Sequence, residues 1–500
     1  ILVGSGGTGI RANTTGKVIS EGNIYITTES GGSAIVSQTA SEVVNRGDIF
    51  SWSTVAPVID LRGGSTVFVN EGTIGAQYAD TVIVAGGATD DRIALIGGAV
   101  QGDVNTGNGT DTLTLTGGTL NGSLTMGSGI DNQAFVQNVS LANVSHITTA
   151  GGEGSTLSLS EIAARGGSFA SDDAGRGVNL GAGWSTINFY HTDWTLTDNL
   201  QLAHSTLNID RESTLYAGNL VDPVLRGGTS DSLVVNNAGT LDLTNGSGSP
   251  GNTLTINGTL NSLNGTLKLA SALNGGGAPA NQRSDILRVN GDVNGTTLIN
   301  VTPAAGSTGA LNDANQNGVI EANEGISLAQ VAGSASANSF ALQGGYLAAG
   351  PWRYDLYSFA PGSSDAAQRQ VDGSGSQFRD YRLANGLVRN NGVSRAAVVP
   401  QVPAYLSAPT GLAYYSAATL NDLHNRLGEL RQGQGEAGGE MFLRYTGANM
   451  RYSTSQSFQN FGYDLDMDYS ALQVGGNVVQ LDGDNGSLRG GVAWTRGNSR

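Results

Sequence analysis

The sequence predicts an all-β chain built mainly as a solenoid, a parallel β-helix, on three observations. First, "GATDDRIALIGGAVQGDVNT" (87–106), "GNGTDTLTLTGGTLNGSLTM" (107–126) and "GSGIDNQAFVQNVSLANVSH" (127–146) align without a gap. Asp91, Asp111 and Asp131 then stand 20 apart; Leu95, Leu115 and Phe135 share one column, and Val104, Leu124 and Val144 another. Second, each copy holds short alternating apolar runs punctuated by Gly and Asn, which take corners at positive φ. Third, glycine, at 76 of 500 residues, is about twice average usage, without the strict triplet or the proline content of collagen.

Similar runs extend from the start to about residue 240, in "GNIYITT", "STVFVNEGTI" and "STINFYHTDWTLTDNLQLAHSTLNIDRESTLYAG". At about 4.8 Å per coil, a dozen coils would make a rod roughly 60 Å long. The third copy drifts, because Gln133 stands where Ile93 and Leu113 are apolar. Calcium-binding nonapeptide repeats stack copies nine residues apart, so Asp residues 20 apart read instead as corner residues capping turns. Such a rod offers surface rather than a pocket, which favours binding.

Composition narrows the classes. A net charge of −16 and a pI near 4.6 leave no basic stripe for nucleic acid. Hydrophobic residues, at 38% and periodically placed, argue against disorder. The chain has no Cys, so disulfides and thiol chemistry are excluded. No G-x-S-x-G, G-D-S-G or H-E-x-x-H occurs, and His146, His191, His204 and His424 are scattered. A non-enzyme is expected. The opening "ILVGSGGTGIRANTT", in mid-pattern and without Met, reads as a window cut from a longer precursor.

From 251 the pattern tightens: "GNTLTINGTLNSLNGTLKLASAL", "RSDILRVNGDVNGTTLINV", then "GISLAQVAGSASANSFALQGGYLAAGPWRYDLYSF". In this order over roughly 110 residues, these segments resemble the C-terminal passenger segment of pertactin-like type V autotransporters, the autochaperone or junction. Phe340, Trp352, Tyr354 and Leu356 are expected to form its hairpin core. Next, "VVPQVPAYLSAP" reads as extended, since Pro400, Pro403 and Pro409 oppose a regular helix. Thr410 is a plausible N-cap, and Leu420, Leu423, Leu427 and Leu430 follow helical spacing up to Gly433. In this order the helix resembles the linker that threads an autotransporter barrel. In "YDLDMDYSA", Tyr463, Leu465, Met467, Tyr469 and Ala471 alternate with Asp464, Asp466, Asp468 and Ser470, and the Asp side is expected to face a watery lumen. "EMFLRYTG" and "SLRGGVAWTRG" read as flanking strands.

The resemblance therefore implies four parts: a right-handed β-helix passenger (1–240), a C-terminal passenger junction (241–395), a linker with a helix (396–433) and the first strands of a transmembrane barrel (434–500). It implies display at the bacterial outer membrane with possible release, and as partners the membrane lipids, the barrel-assembly machinery, and host-cell or matrix receptors or other bacteria. An adhesin is the leading function. A hydrolase or lyase would show clustered carboxylates on the solenoid, and a self-associating passenger a ladder of Asn, Thr and charged residues down one face.

Three candidate sites remain. Arg46-Gly47-Asp48 is the tripeptide that integrins read as a cation and a carboxylate on an exposed turn, though chance also supplies it in a glycine-rich chain. "TLNDLHNRLGELR" (419–431) resembles the cleavage segment of serine-protease autotransporters, with Asn421 at the place of the Asn that cyclises and Asp422 replacing the second Asn. Packing of the helix in a barrel accounts for the same residues and is the preferred account. Finally, "DANQNGVIEANE" (313–324) fits a calcium loop: Asp313, Asn315, Asn317 and Glu324 would give side-chain oxygens and Val319 its carbonyl, with Gly318 at the turn and Ile320 pointing inward. Flanking helices are missing, and an Asn/Gly-rich turn is the alternative.

Overall fold

The computed structural model describes every residue except 14, 79–80, 170–173, 205, 229–232, 247, 374, 421–440 and 484–485. The chain divides into two units: Ile1–Asn315 with Ile320–Gly350 and Tyr354–Asn385, and Gln316–Val319 with Pro351–Arg353 and Gly386–Arg500.

The first unit is the predicted solenoid. Short strands stack in parallel on their counterparts one coil away, in three ladders. Alternation sends every second side chain inward. One inward column runs unbroken from Val43 through Phe68, Ile93, Leu113, Ala134, Leu157, Ile187, Leu207, Val235 and Leu260 to Val293. All are at most 4% exposed. Burying each Val, Leu, Ile or Phe of that column is worth about 1.5–3 kcal/mol, and this spine holds the stack together.

Coil length varies. Lys17, Glu42, Val67 and Arg92 pair at a spacing of 25, whereas Arg92 to Thr112 is the expected 20. The gapless third copy is corrected by one residue in the ladder of Leu113, and by three in the ladder of Leu124, which pairs with Ile147 while Val144 pairs with Gly122. Leu113 pairs with Ala134 and Leu115 with Val136, so Asn132 rather than Asp131 follows Asp111. The apolar pattern forces this slip, since a one-residue shift turns every side chain to the other face. Val136 is fully buried, while Phe135 lies outward at 36% exposure.

The coils end in a cap. Strand Arg379–Asn385 enters antiparallel between Ile326–Val331 and the segment 354–359. A parallel stack would otherwise present unpaired backbone groups at this edge.

The second unit holds a hairpin (Leu387–Asn390 with Val393–Ala396), a helix α1 (Gln401–Leu420) and a three-stranded antiparallel sheet of Met441–Tyr452, Leu465–Gly483 and Gly486–Ser499. The helix starts nine residues before Thr410, which corrects the extended reading of 401–409. Pro403 falls in the first turn, where its missing N–H would have had no partner. Pro409 alone interrupts the interior. Leu420 is 74% exposed, and Leu423, Leu427 and Leu430 lie outside the described residues.

The sheet faces are also the reverse of the expectation. Met467, Ala471 and Gln473 are buried on the side that meets α1. A Cβ on Gly411 would sit 3.3 Å from Leu465 and 3.4 Å from the Met467 sulfur, and Tyr469 makes edge contacts with Tyr414 and Tyr415. Asp466 and Asp468 lie on the opposite face, Asp466 held by Arg451 at 2.8 Å and Asp468 by Asn449. Alternation fixes that two faces exist, but only the position of the helix decides which is inner.

Candidate functional site: the solenoid corners and the junction

Arg46, Gly47 and Asp48 occupy a coil corner. The Arg46 guanidinium reaches Glu71 at 3.0 Å and Glu21 at 3.5 Å, on the coils either side. Gly47 has no room for a side chain, because a Cβ would lie 2.3 Å from the Gly22 carbonyl oxygen. The tripeptide thus sits in the stack rather than on a protruding loop, with Arg46 already paired. Asn421 and Asp422 lie outside the described residues.

The proposed calcium ligands fall in both units: Asp313, Asn315 and Glu324 in the first, Asn317 and Val319 in the second. Within the first, Glu324 is buried, and its two oxygens accept from the Ala314 and Glu321 amides at 2.7 and 3.0 Å. Burial raises its pKa. Asn315 donates to Glu321, and Ile320 is buried as expected. Within the second, Asn317 accepts from the Val319 amide, and Gly318 turns at φ 77°. The Glu324 carboxylate is therefore the acceptor that closes a hydrogen-bonded turn.

The corner column Asp91, Asp111 and Asn132 does what corner residues should. The Asp91 carboxylate accepts from the Thr66 and Gly87 amides, Asp111 from the Asp91 amide and the Thr106 hydroxyl, and Asn132 from the Asp111 amide. Burial, more than any neighbour, pushes the Asp91 pKa up from 3.8 to about 6. The folded state thus favours the protonated form. Stability from this group is greatest below pH 3.8 and declines as pH rises through about 6. Replacing Asp91 by Asn should remove up to about 2 kcal/mol of that pH dependence. The check is the wild-type-minus-variant difference in urea midpoint at pH 7 and at pH 4.5.

At the junction, Tyr354 is fully buried, and its hydroxyl both accepts from and donates to the Ala310 backbone at 2.7 and 2.9 Å. Phe340, also buried, meets the Tyr381 ring edge-on at 4.7 Å. Two of the four expected core residues are thus fully in place, and Leu356 is partly buried. Trp352 is not a member of that core: it is half-buried in the second unit, with its ring 5.7 Å from Phe461. Leaving no trace in the motif reading is Arg382, which is completely buried. It bonds the carbonyls of Gly277, Glu324 and Gly325 and pairs with Asp380 at 2.8 Å. Asp380 also takes the Ser327 hydroxyl at 2.5 Å, and burial still raises its pKa. The one available signal was an Asp and an Arg two apart on one face of a strand in a charge-poor chain.

Residues 230–356 match the family model of the Autochaperone Domain Type 1. The chain is also similar to the uncharacterized protein YdeU of Escherichia coli K12, at 27% identity over 47% of this chain and 46% of YdeU. It resembles the uncharacterized protein YuaQ of the same organism, at 27% identity over 50% of this chain and 16% of YuaQ. The chain thus spans less than half the length of either relative. The autochaperone match begins within the last coils and includes Asp285, Tyr354 and the three carbonyls that accept from Arg382, whereas Arg382 itself and Asp380 lie beyond it. Together with the parallel solenoid before it and the helix and antiparallel sheet after it, this segment supports an autotransporter, which implies an outer-membrane and cell-surface location.

An asparagine ladder runs from the coils before the autochaperone segment into it. Asn208 donates to Asn188, Asn236 to Asn208, Asn261 to Asn236 and Asn294 to Asn261, at 2.7–2.9 Å. These bonds run along the coil axis, so the ladder stitches coil to coil.

Proposed function

We propose that the chain is part of a pertactin-like autotransporter whose solenoid is displayed as an adhesin and whose C-terminal sheet begins an outer-membrane barrel around α1. The observation that carries this reading is the order of parts: an autochaperone segment at the end of a solenoid, then a helix lying on one face of an antiparallel sheet. The opposite face supports the barrel. Met441, Leu443, Tyr445, Val492 and Trp494 are 59–81% exposed there. Toward the Tyr452–Leu465 end, the same face turns polar at Asn449, Arg451, Asp466 and Asp468. Such a band is costly in water and suited to lipid, with the polar end in the headgroups or beyond. The α1 face is then the lumen, filled by the helix.

Adhesion is proposed from what the solenoid offers, a long ridged surface with shallow, open grooves. Non-adherent bacteria displaying the full-length protein should gain binding to host cells or matrix, relative to a strain lacking residues 1–385 of the chain. Equal binding by the two strains would remove the adhesin reading and leave the autotransporter reading standing.

A further inference from the structure

Ahead of α1 the chain is gripped by a loop of the sheet. Arg395, on the strand Val393–Ala396, places its guanidinium carbon 4.1 Å from the centre of the Phe458 ring, 4.7 Å from Tyr463 and 5.0 Å from Phe461. It also donates to the Phe458 carbonyl at 2.8 Å. A cation within about 6 Å of a ring face is attracted by the ring quadrupole, and here three rings act on one guanidinium.

The loop is built to hold these rings. The Ser457 carbonyl accepts from the Asn460 and Gly462 amides, and Asp464 accepts from the Thr454 amide. Gly462 leaves no space for a Cβ, which would lie 2.3 Å from the Gln456 carbonyl oxygen. Phe461 has φ 56°, a left-handed conformation that a bulky residue avoids unless its surroundings impose it. Those surroundings are Arg395 on one contact and the Trp352 ring on the other. Trp352 in turn pairs with Val398, while the Ala397 carbonyl accepts from the Arg353 amide and the Ala397 amide donates to Gly386. The chain entering α1 is tied at each of these points.

We propose that residues 453–464 form an aromatic clasp that closes on Arg395 and locks α1 in its place against the sheet. The inference rests on the barrel reading. The start of α1 lies toward the Leu465 end of its strand, since Gly411 faces Leu465 and Met467, whereas Thr419 accepts from Arg444 and Gln473 farther along. The clasp therefore stands at the mouth where the chain leaves the lumen. Arg395 and Trp352 reach that mouth only when the passenger is outside, so closure follows translocation and keeps the filled pore sealed.

The test uses the full-length precursor in the outer membrane and the influx of a small hydrophilic dye that the intact membrane excludes. Arg395→Ala should raise influx by about tenfold, and Arg395→Lys, which keeps a cation but loses planar stacking, should fall between variant and wild type. Phe458→Leu, a milder change outside the strained turn, should also raise it. Wild-type influx in Arg395→Ala and in Phe458→Leu would overturn the clasp. If Arg395→Ala fails to insert, Phe458→Leu alone decides, with the same reading of its outcome. A separate arm tests the barrel: a wild-type chain lacking heat-modifiable mobility and surface exposure would overturn the barrel reading and the clasp with it.

Discussion

Replacing Arg382 by Ala will leave the C-terminal end of the solenoid open to protease. Arg382 is wholly enclosed, and its guanidinium is the donor for three backbone carbonyls from two separate segments, at Gly277 and at Glu324–Gly325. Its only carboxylate partner, among the described contacts, is Asp380, itself 1% exposed. Removing one side of a buried ion pair costs about 3–5 kcal/mol, because the remaining charge has lost its solvent and its partner together. Here three carbonyls also lose their donor. That is comparable with the whole stability of an ordinary domain. The measurement is the temperature at which the displayed chain loses its trypsin-resistant core. A double variant, Asp380→Asn with Arg382→Met, separates the two causes. If the unpaired charge were the whole cost, the double variant would regain wild-type resistance. Because the carbonyls remain unserved, it should regain less than half of the loss. Unchanged resistance in Arg382→Ala would mean that the capping strand is not what closes the stack.

The sequence showed most clearly what repeats. Ile93, Leu113 and the Val104–Leu124 pair could be placed in their columns because a 20-residue coil repeats both spacing and polarity there. Coils of 25 residues, as between Lys17 and Arg92, kept the alternation but not the period, so their existence was legible and their register was not. Gln133 already marked the drifting copy, yet only inter-coil pairing shows that Asn132 inherits the corner. Pro403 and Pro409 argued against a helix by local chemistry, and the first-turn position of Pro403 shows why that argument failed. For 464–471 the alternation was right and the facing reversed, since a strand's own sequence carries no information about which side a distant helix will occupy. Arg382 and Asp380 were the least legible. A buried charge obeys no periodic pattern, and the carbonyls that accept from Arg382 lie 57, 58 and 105 residues away.

Asp285 makes the same point from inside a motif that was readable. It is the Asp of "RSDILRVNG", a segment matched on its apolar spacing. One of its oxygens accepts from the Gly251 and Asn252 amides and the Asn252 side chain at 2.8–2.9 Å, and the other accepts from the Ala270 amide at 2.7 Å. The residue is fully buried, and burial raises its pKa, so these four donors are what offset the cost of enclosing a carboxylate. Asp285 thereby fixes the entry to the strand Thr253–Ser271 and that strand's far end at once. Asp285→Ala strands three buried donors, each costing about 1–3 kcal/mol when unmet, together with the amide of the exposed Gly251, which water can serve, and should lower stability by at least about 3 kcal/mol after partial relaxation. Asp285→Asn retains the oxygen that serves Gly251 and Asn252 but turns an amide N–H₂ toward the Ala270 N–H. Its loss should therefore be smaller, about 2 kcal/mol. The order Ala worse than Asn, read as the temperature at which trypsin resistance of the displayed chain is lost, is the expected result. Equal losses would show that the Ala270 bond carries the site, and no loss in either variant would show that the autochaperone segment does not depend on this carboxylate.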